Sequence, residues 1–357
     1  MSAPAIHQLL PIFEPGAVGA HAIAARAALR AAGFDSEIYT VEIHPAYAGE
    51  GAHDLADHAR AARPGDRLVY QMAIGSVVAD YACQRPEPLV VNHHNLTPLR
   101  YFAGWEPVAA HGVVWGRRQL RELAGRASLG VAVSRYNEAD LIEAGFDRTL
   151  VVPYLLDLRT FAIKPDARVL DSVRATRAGT EWLFVGRLAP NKAQHDLVKA
   201  FAAYRQFHDP QARLHLVGGG ADGQYGHAVT SFALALGLAD SVVATGPVPP
   251  AALAAHYEAA DVLVVTSEHE GFCVPLLEAM YHRLPIVAYG EAAVPETLGD
   301  AGVLLPTKEP FTVAAAVDRV VRDTGLRAQI VEAGVRRVAD YGIDHTGPAF
   351  VEAVSAL

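Results

Sequence analysis

Short apolar runs alternate with helix-period segments along most of the chain. The runs predict strands and the segments between them predict helices, and the run Asp261–Val265, which is β-branched and has no helical period, predicts a buried strand. Strands are predicted at Ile6–Leu10, Glu37–Ile43, Arg67–Met72, Leu89–Asn92, Leu129–Val133, Thr149–Pro153, Trp182–Val185, Arg213–Val217, Ser241–Thr245, Asp261–Val265 and Pro285–Ala288. Strands that alternate with helices predict an α/β fold, in which parallel sheets are covered by helices on both faces.

The segment Leu158–Thr180 interrupts this alternation. It contains a proline, scattered charges and one weak helix, as expected of a connection between domains. We therefore predict a first domain over 1–159, a second over 160–342, and a terminal helix over 343–357 that packs back on the first domain. Two doubly wound domains in tandem would bind a ligand in the cleft between them, facing the carboxyl ends of both sheets.

Composition narrows the classes of function. The 357 residues carry a formal net charge of −9, so nucleic acid is not expected as a partner. Cys83 and Cys273 are the only cysteines, which is too few for a disulfide framework and typical of a reducing compartment. The sequence shows no apolar run of membrane-spanning length and no signal peptide, so we expect a cytoplasmic protein.

The stretch SEHEGFCVPLLEAMYHRL, which begins at Ser267, holds the most distinctive candidate chemistry. Glu270 lies on a loop after a predicted strand, and Glu278 lies about one turn into a helix that Pro275 opens. Backbone N–H groups at a helix N-terminus favour an anion, whereas carboxylates favour hydroxyls. The stretch therefore predicts a ligand with both a phosphate and vicinal hydroxyls. The E-x7-E spacing alone is weak, because Glu42 and Glu50 repeat it without that context.

A second candidate loop, Gly186–Lys192, follows the first strand of the second domain. Arg187, at the carboxyl end of that strand, can bind a phosphate with its planar guanidinium. Asn191 is predicted to cap the next helix, which makes Lys192 its first residue. A cation there opposes the helix dipole, and a bound anion would remove the conflict. The alternative is that both basic side chains are solvated surface charges.

A glycine-rich loop, Gly218–Gly223, matches the G-x-G-x-x-G pattern of dinucleotide-binding proteins. It follows an inner strand of its domain, and the downstream acid, Asp240, precedes its strand instead of ending it. The loop is therefore predicted to be a tight turn or a close approach to a ligand. A dinucleotide site is the alternative that the pattern leaves open.

Two neighbouring histidines are candidates in the first half. His94 follows the strand Leu89–Asn92 at the carboxyl edge of the first sheet, where it either lines a ligand site or caps and packs. His93 is the alternative candidate, because neighbours along a strand point to opposite faces.

One predicted helix of the first half is locally basic. Either it presents a solvated face, or it docks peripherally at the inner face of a membrane that carries an acidic lipid-linked acceptor. Its arginines are Arg117, Arg118, Arg121 and Arg126. No C-x-x-C, H-x-x-x-H or D-x-D pattern occurs in the sequence, so no metal site is predicted.

Three stretches of the second half together resemble the retaining, nucleotide-sugar-dependent glycosyltransferases of family 4, which have the GT-B fold. They are FVGRLAPNK, SEHEGFCVPLLEAMYHRLPIVA and VPETLGDAGVLL. NHHNLTP and SRYNEADLIEAGF look like the first domain of the same family. The likeness covers most of the chain and is strongest from Trp182 to Pro306. It implies two Rossmann-like domains that face a central cleft.

The resemblance implies a role for each candidate residue. Arg187 and Lys192 would bind the donor diphosphate, Glu278 would hold the ribose hydroxyls, and His94 would line the sugar pocket. Glu270 would contact the donor sugar and phosphate together with the backbone of its neighbours. The further implied donor contacts are Gly271, Phe272, Cys273, Val248 beside the base, and Gly16 and Gly19 in the loop beneath the phosphates.

The resemblance also implies a reaction. A hexose would move with retention of configuration from a nucleotide-diphosphate sugar, with GDP-mannose and UDP-hexoses favoured, and no metal or other cofactor would be needed. The acceptor would be a hydroxyl of a sugar, a lipid-linked molecule or a small molecule, in glycan, glycolipid or natural-product biosynthesis. Arg187, Lys192 and a helix N-terminus would stabilise the leaving diphosphate, which would take the acceptor proton.

The sequence departs from the family pattern at three places. Cys273 stands where the family usually has glycine, His282 and Arg283 replace the usual small residues, and the loop Gly16–Gly19 is less glycine-rich than many. Two other functions remain as alternatives. One is an NAD-dependent oxidoreductase that uses Gly218–Gly223, and the other is a sugar-nucleotide-binding protein without catalysis.

Overall fold

A computed structural model describes residues 5–356 of the chain. Within these residues the chain forms two compact units. The first takes the described residues up to Ala103, then Pro107–Asp157, then those from Tyr341 onward. The second takes Gly104–Glu106 and Leu158–Asp340. In this part of the chain, no helix has the length and apolar character needed to cross a membrane.

Strands and helices alternate in both units. The strands are β1 (Ile6–Leu10), β2 (Ile38–Thr40), β3 (Ala52–Asp54), β4 (Arg67–Met72), β5 (Leu89–His93), β6 (Leu129–Ala132), β7 (Thr149–Val151), β8 (Glu181–Val185), β9 (Arg213–Val217), β10 (Val242–Gly246), β11 (Val262–Val265), β12 (Ile286–Tyr289) and β13 (Val303–Leu305). The helices are α1 (Ala17–Ala31), α2 (Leu55–Ala61), α3 (Val77–Gln84), α4 (Pro107–Ala124), α5 (Arg135–Ala144), α6 (Ala167–Thr176), α7 (Gln194–Phe207), α8 (Gln224–Ala235), α9 (Pro250–Ala259), α10 (Val274–Tyr281), α11 (Val294–Leu298), α12 (Pro310–Arg322), α13 (Thr324–Asp340) and α14 (Ile343–Ser355).

The sheet of the first unit is parallel, with the strand order β3-β2-β1-β4-β5-β6-β7 among the described residues. Its inner strands are buried on both faces, as expected of a parallel sheet, and they bury polar as well as apolar side chains. The order reverses between β1 and β4. In α/β sheets such a reversal leaves a crevice at the carboxyl ends of the strands, where ligands bind.

The terminal helix α14 belongs to the first unit. Its Phe350 and Val354 are fully buried in the same cluster as Ile6 and Leu29, and α14 packs on α1. The chain enters α14 beside Leu156, whose carbonyl accepts the N–H of Ile343 at 3.0 Å. The apolar positions of α14 thus complete the core on one face of the first sheet.

The sheet of the second unit is also parallel, with the described strands in the order β10-β9-β8-β11-β12-β13. Its core contains Trp182, Phe184 and Phe201, all with 1% exposure or less. The order reverses between β8 and β11, so the loops after these two strands flank the ligand-binding end of the sheet.

Each predicted strand has a counterpart in the structure, and the predicted α/β class is confirmed. Two strands were not predicted, β3 and β13. Both have three residues and lie at a sheet edge, where β3 exposes His53 and Asp54. A short edge strand takes its conformation from pairing with a neighbour and not from an apolar pattern of its own, so the sequence pattern does not reveal it.

Candidate functional site

Asn191 ties together the two candidate loops of the second unit, which follow the neighbouring strands β8 and β11. Its backbone carbonyl accepts the N–H groups of Glu268 at 2.8 Å and of His269 at 3.3 Å. Its side-chain amide donates to the carbonyl of His269 at 3.0 Å. The two loops therefore form one framework at the point where the strand order reverses.

The prediction that Asn191 caps a helix beginning at Lys192 is wrong. Pro190–Lys192 form a 3₁₀ turn, and α7 begins only at Gln194. Ala193, between the turn and the helix, has a φ of 51° and a ψ of 41°, which is the left-handed conformation. Sequence propensity does not place an alanine there, because the left-handed region costs an L-residue about 1–2 kcal/mol.

Lys192 forms an ion pair with Glu270 across these loops. The distance from Nζ to Oε2 is 2.5 Å, and the two side chains are 23% and 8% exposed. The sequence placed both residues in one site, and the structure brings them into direct contact. Because the Glu270 carboxylate is almost excluded from water, its charge depends on Lys192 for compensation.

The left-handed alanine gives a stability prediction. We expect Ala193→Gly to be about 2–3 kcal/mol more stable than Ala200→Gly, because glycine relieves about 1–2 kcal/mol of strain at position 193 and costs about 1 kcal/mol inside a helix. Both alanines are fully buried, and Ala200 lies inside α7. Each substitution therefore removes one buried methyl group, and this loss cancels in the comparison. Urea unfolding of the two variants measures the difference. A difference of only about 1 kcal/mol, which is the cost of glycine inside a helix, would show that position 193 stores no strain.

Arg187 pairs with Glu106, a partner that sequence reasoning missed. The distance from its Nη1 to Oε2 of Glu106 is 2.6 Å, and the two side chains are 48% and 27% exposed. Glu106 belongs to the second unit although it immediately precedes α4. Its distance of 81 residues along the chain explains why no local pattern reveals the pair.

The loop before α10 is anchored through its carbonyl groups. The carbonyl of Glu270 accepts the N–H of Ala293 at 3.2 Å, and that of Phe272 accepts Oγ1–H of Thr297 at 2.6 Å. Gly271 and Phe272 are buried in this loop. These two hydrogen bonds, to Ala293 just before α11 and to Thr297 within it, fix the loop at the N-terminus of α10.

Cys273 is the residue immediately before α10 and has a φ of 72°. Glycine adopts such a backbone without strain, whereas a cysteine in this conformation is strained. Burial raises the pKa of the Cys273 thiol well above its usual value, and the neighbouring Glu270 carboxylate adds to this. The thiol is therefore held protonated beside the Lys192–Glu270 pair.

Glu278 accepts a hydrogen bond from a buried tyrosine. Oη of Tyr257, on α9, lies 2.6 Å from Oε2 of Glu278, on α10. Burial raises the pKa of the Glu278 carboxyl, and the bond from Tyr257 opposes the rise. Tyr257 was missed by sequence reasoning, because nothing in the pattern of α9 shows which residue its hydroxyl meets.

Two glycines of the loop Gly218–Gly223 are explained by close backbone approach. A Cβ on Gly218, where φ is 144°, would lie 2.2 Å from the carbonyl oxygen of Gly186. A Cβ on Gly220, where φ is 85°, would lie 2.7 Å from that of Leu188. The loop thus packs directly against the Gly186–Lys192 loop. This supports the prediction of a tight turn in place of a dinucleotide fingerprint.

The predicted loop Gly16–Gly19 is instead the first turn of α1. Gly16 is the residue before the helix, with a φ of 153°, and the helix runs from Ala17. Gly19 is buried within that turn, where a Cβ would lie 2.1 Å from the carbonyl oxygen of Glu14. The helix begins earlier than expected because small residues allow its first turn to pack against the preceding chain.

His94 belongs to a buried chain of polar side chains in the first unit. Its Nε2 lies 2.6 Å from Oε1 of Gln71, which also accepts Nδ2–H of Asn92 at 2.8 Å. Nε2 of Gln71 donates to Oε1 of Gln8 at 2.7 Å, and Nε2 of Gln8 donates to the Ala22 carbonyl at 2.9 Å. These amides lie on neighbouring strands, and the sequence alone did not connect them.

The hydrogen bonds among these polar side chains show which ring nitrogen of His94 carries the proton. Because Oε1 of Gln71 can only accept, Nε2 of His94 must carry the proton, which leaves Nδ1 as an acceptor. Nδ1 is buried and has no hydrogen-bond partner among the described residues. Burial holds the pKa of His94 well below its usual value, and His21 and His93 add to this.

His93 turns away from His94, as strand alternation predicts. Its Nε2 lies 3.2 Å from Oδ2 of Asp140 on α5. The contact gives His93 a packing role within the first unit. Nδ1 of His93, like that of His94, is buried without a hydrogen-bond partner among the described residues, so the two rings differ in what their Nε2 atoms contact.

The remaining candidates have simpler environments. Val248 lies half-buried in the chain between β10 and α9. On α4, Arg117 pairs with Asp140 at 2.9 Å and Arg126 donates to the carbonyls of Arg85 and Glu87. Two of the four arginines of the basic helix are therefore used in contacts within the first unit, whereas Arg118 and Arg121 are exposed.

Known proteins similar to this chain share a common activity in their names. Residues 177–337 match the model of a family described as glycosyl transferases group 1. A D-inositol 3-phosphate glycosyltransferase of Kineococcus radiotolerans is 31% identical over 284 residues, which cover 74% of this chain and 65% of that protein. Its namesake in Frankia alni is 31% identical over 279 residues, which cover 75% and 68%. The match thus leaves about a third of each relative's length uncovered.

Solved structures with a similar backbone cover nearly the whole chain. Anabaena HepE in complex with UDP-glucose gives a TM-score of 0.79 at 20% identity and covers 99% of this chain and 100% of that one. WaaG, a glycosyltransferase involved in lipopolysaccharide biosynthesis, gives 0.75 at 13% identity, with coverage of 99% and 100%. At these identities the likeness shows the fold alone.

Proposed function

Because the chain belongs to the glycosyl transferases group 1, the family 4 glycosyltransferases of GT-B fold, we propose that it transfers a hexose from a nucleotide-diphosphate sugar to an acceptor hydroxyl. One observation carries the proposal. At the carboxyl edge of the second sheet, Lys192 contacts Glu270 on the loop that leads into α10. A cation, a buried carboxylate and a helix N-terminus thus meet where α/β sheets bind ligands.

The positive groups suit a diphosphate. Lys192 provides an ammonium, Arg187 a planar guanidinium, and α10 the N–H groups of its first turn. Arg187 already pairs with Glu106, so a bound phosphate would share or replace that carboxylate. These donors are already in place to stabilise the negative charge that develops on the leaving diphosphate. Such electrostatic stabilisation of the transition state is the largest single contribution to the rate enhancement of many enzymes.

The carboxylates suit the hydroxyl groups of the same donor. Glu278 would accept from the ribose hydroxyls, and Glu270 would contact the reacting sugar. His94, whose ring is kept neutral by burial, would line the sugar pocket with its Nδ1 as an acceptor. Gly271, Phe272, Cys273 and Val248 are proposed as further contacts to the donor.

The reaction is proposed to retain the anomeric configuration without a metal. The bond between the anomeric carbon and the diphosphate oxygen breaks, and the acceptor oxygen bonds to that carbon from the same face. The acceptor proton passes to the leaving phosphate, so no separate base is required. Lys192 and Arg187 act by stabilising the charge on that leaving group.

The names of the similar proteins guide the choice of substrates. UDP-glucose is bound in the Anabaena structure, and inositol 3-phosphate appears in the names of the relatives. We propose UDP-hexoses and GDP-mannose as the donors to test first. The acceptors to test are an inositol phosphate, free sugars and lipid-linked sugars, the last supplied on vesicles because Arg118 and Arg121 of α4 are exposed and cationic.

Transfer assays with these donors and acceptors test the proposed function. We expect a glycoside whose anomeric configuration, read by NMR, matches the donor, and we expect EDTA to leave the rate unchanged. An inverted product or loss of activity in EDTA would contradict the proposed mechanism. Tight nucleoside-diphosphate binding without transfer to any acceptor would favour the non-catalytic alternative, and micromolar NAD binding would favour the oxidoreductase.

Glu278→Ala is expected to abolish detectable transfer, with nucleoside-diphosphate affinity reduced about 100-fold. A charged acceptor bonded to two hydroxyls is worth on the order of 3 kcal/mol when its partners cannot reach water. Isothermal titration and the transfer assay measure the two effects. Glu258→Ala is the control, because Glu258 forms a half-exposed pair with Arg174 on the same unit. Normal transfer by Glu278→Ala would contradict the proposed role.

A further inference from the structure

Tyr257 is the residue of α9 that reaches the Glu278 carboxylate. Its ring is 2% exposed, and its hydroxyl donates to Oε2 at 2.6 Å. This hydrogen bond is short even for a hydroxyl donor, as expected when the acceptor is charged. Within the described chain, Tyr257 is the only side chain that hydrogen-bonds this carboxylate.

The hydroxyl of Tyr257 is a permanent donor. Burial raises the pKa of this hydroxyl well above its usual value, and the Glu278 charge adds to this. Tyr257 therefore cannot act as an acid or base near neutral pH, and its contribution to Glu278 is one of geometry.

His282 holds the tyrosine ring from the other side. The two rings are stacked, with centroids 5.0 Å apart and an angle of 6° between their planes. His282 ends α10, where its backbone N–H donates to the backbone carbonyl of Glu278 at 3.0 Å. Tyr257 is thus fixed by the residue one helical turn beyond the carboxylate that it orients.

A glutamate side chain has three rotatable bonds, and an unanchored carboxylate must lose that freedom when it binds a ligand. A carboxylate that is already fixed by one oxygen presents the other oxygen in a single direction. Such an acceptor distinguishes ligands that offer a hydroxyl at that point from those that lack it, since an unmet buried acceptor is costly.

We propose that Tyr257 is a positioning residue that orients the Glu278 carboxylate and thereby sets the preference of the donor site for ribonucleotides over deoxyribonucleotides. The inference rests on the proposed function, in which Glu278 receives the ribose hydroxyls. Tyr257 itself does not touch the donor. Its effect appears in the discrimination between nucleotides and not in the chemical step.

The experiment compares Tyr257→Phe with the wild-type protein. UDP and GDP are titrated calorimetrically, each against its 2′-deoxy and 2′,3′-dideoxy form. We expect the wild-type protein to bind the ribonucleotide about 100-fold more tightly than the dideoxy form, and Tyr257→Phe to narrow this ratio about tenfold. Affinity for the dideoxy form should change little, because that ligand does not use Glu278.

Tyr204→Phe is the matched control. Tyr204 is 1% exposed, and its hydroxyl bonds Oγ1 of Thr180 at 3.0 Å, near the amino ends of the strands. Removing that hydroxyl should leave the discrimination ratio unchanged. If Tyr257→Phe does not fold, His282→Ala takes its place in the experiment. Loss of the ring that stacks on Tyr257 should also narrow the ratio of ribonucleotide to dideoxynucleotide affinity, but by a smaller factor.

Glu278→Ala separates failure of the inference from failure of the proposed function. If this variant loses discrimination while Tyr257→Phe keeps the wild-type ratio, the ribose role of Glu278 stands and the positioning role of Tyr257 is overturned. If Glu278→Ala discriminates as the wild-type protein does, the ribose role itself fails and the inference falls with it. Narrowed ratios in both variants support the inference.

Discussion

Lys192→Met is expected to lower kcat/KM for transfer by about 100- to 1,000-fold, the range found when one preorganised electrostatic group is removed from an enzyme. The effect has two sources. The leaving diphosphate loses an ammonium group, and Glu270, whose side chain is 8% exposed, loses the cation that compensates its carboxylate. Steady-state kinetics with the donor identified by the transfer assay measures the loss.

The same substitution should also lower the free energy of unfolding. We expect a loss of about 2 kcal/mol, smaller than for a fully buried pair because Lys192 is partly solvated. Adding Glu270→Gln removes the uncompensated charge, so the double variant should recover most of the stability. It should not recover transfer, because the ammonium is still missing. Stability and catalysis are thereby separated in one set of three proteins.

Lys199→Met is the control for these measurements. Lys199 lies on α7, is 44% exposed and pairs with Asp196 at 2.9 Å. Its loss should change the transfer rate less than threefold and the stability by well under 1 kcal/mol. If Lys192→Met behaved like Lys199→Met, the diphosphate would have to be held elsewhere, and the assignment of this edge of the sheet as the donor site would be lost.

The main architecture could be predicted from the sequence because buried strands have a recognisable local pattern of residues. Arg67–Met72 and Arg213–Val217 are largely buried strands with the predicted bounds, and the loops that follow β8 and β11 carry the polar residues that the site needs. In a parallel sheet the carboxyl ends of neighbouring strands meet, so the contact of Lys192 with Glu270 follows from order along the chain once the fold class is known.

Other parts of the site depend on contacts that no local pattern records. Ala193 adopts its left-handed backbone because the loop around it requires it, against the preference of alanine. The pairs Arg187–Glu106 and Tyr257–Glu278 join residues 81 and 21 positions apart. A charged or hydroxylated side chain has many sterically possible partners, and only the packed structure selects one.

The polar chain around His94 was missed for a related reason. Gln8, Gln71 and Asn92 occupy strand positions that composition would assign to the core or to bends, and their amides hydrogen-bond one another inside the sheet, with only Oδ1 of Asn92 left without a partner among these described side chains. A buried amide is tolerated only where every donor meets an acceptor. Sequence can show that such residues are unusual in a strand, but not that they form one connected chain.

His21, which contacts Asn92 in this group of buried polar side chains, should make the stability of the protein sensitive to acid. His21 is fully buried, with Nδ1 accepting the N–H of Leu155 at 3.2 Å and Nε2 lying 2.8 Å from Nδ2 of Asn92. Its ring packs edge-on against those of His94 and Tyr154. Burial lowers the pKa of His21 to about 3, far below the value near 6.5 of an unfolded chain.

The sign of the effect follows from proton uptake. Below about pH 6.5 the unfolded chain binds a proton at His21 that the folded protein does not, so stability falls as the pH decreases toward the folded pKa. At about pH 5.0 the loss from His21 alone is on the order of 2 kcal/mol, and His94 acts in the same direction. Stability above about pH 6.5 is unaffected by this group.

Urea unfolding at about pH 7.5 and about pH 5.0 tests this for the wild-type protein, His21→Gln and His111→Gln. We expect the difference in unfolding free energy between the two pH values to be about 2 kcal/mol smaller in His21→Gln, whatever its stability at the higher pH. His111 is exposed on α4, so His111→Gln should keep the wild-type difference. An unchanged pH difference in His21→Gln would mean that the folded protein accepts a proton at this position, which its dry surroundings and its two hydrogen-bond contacts argue against.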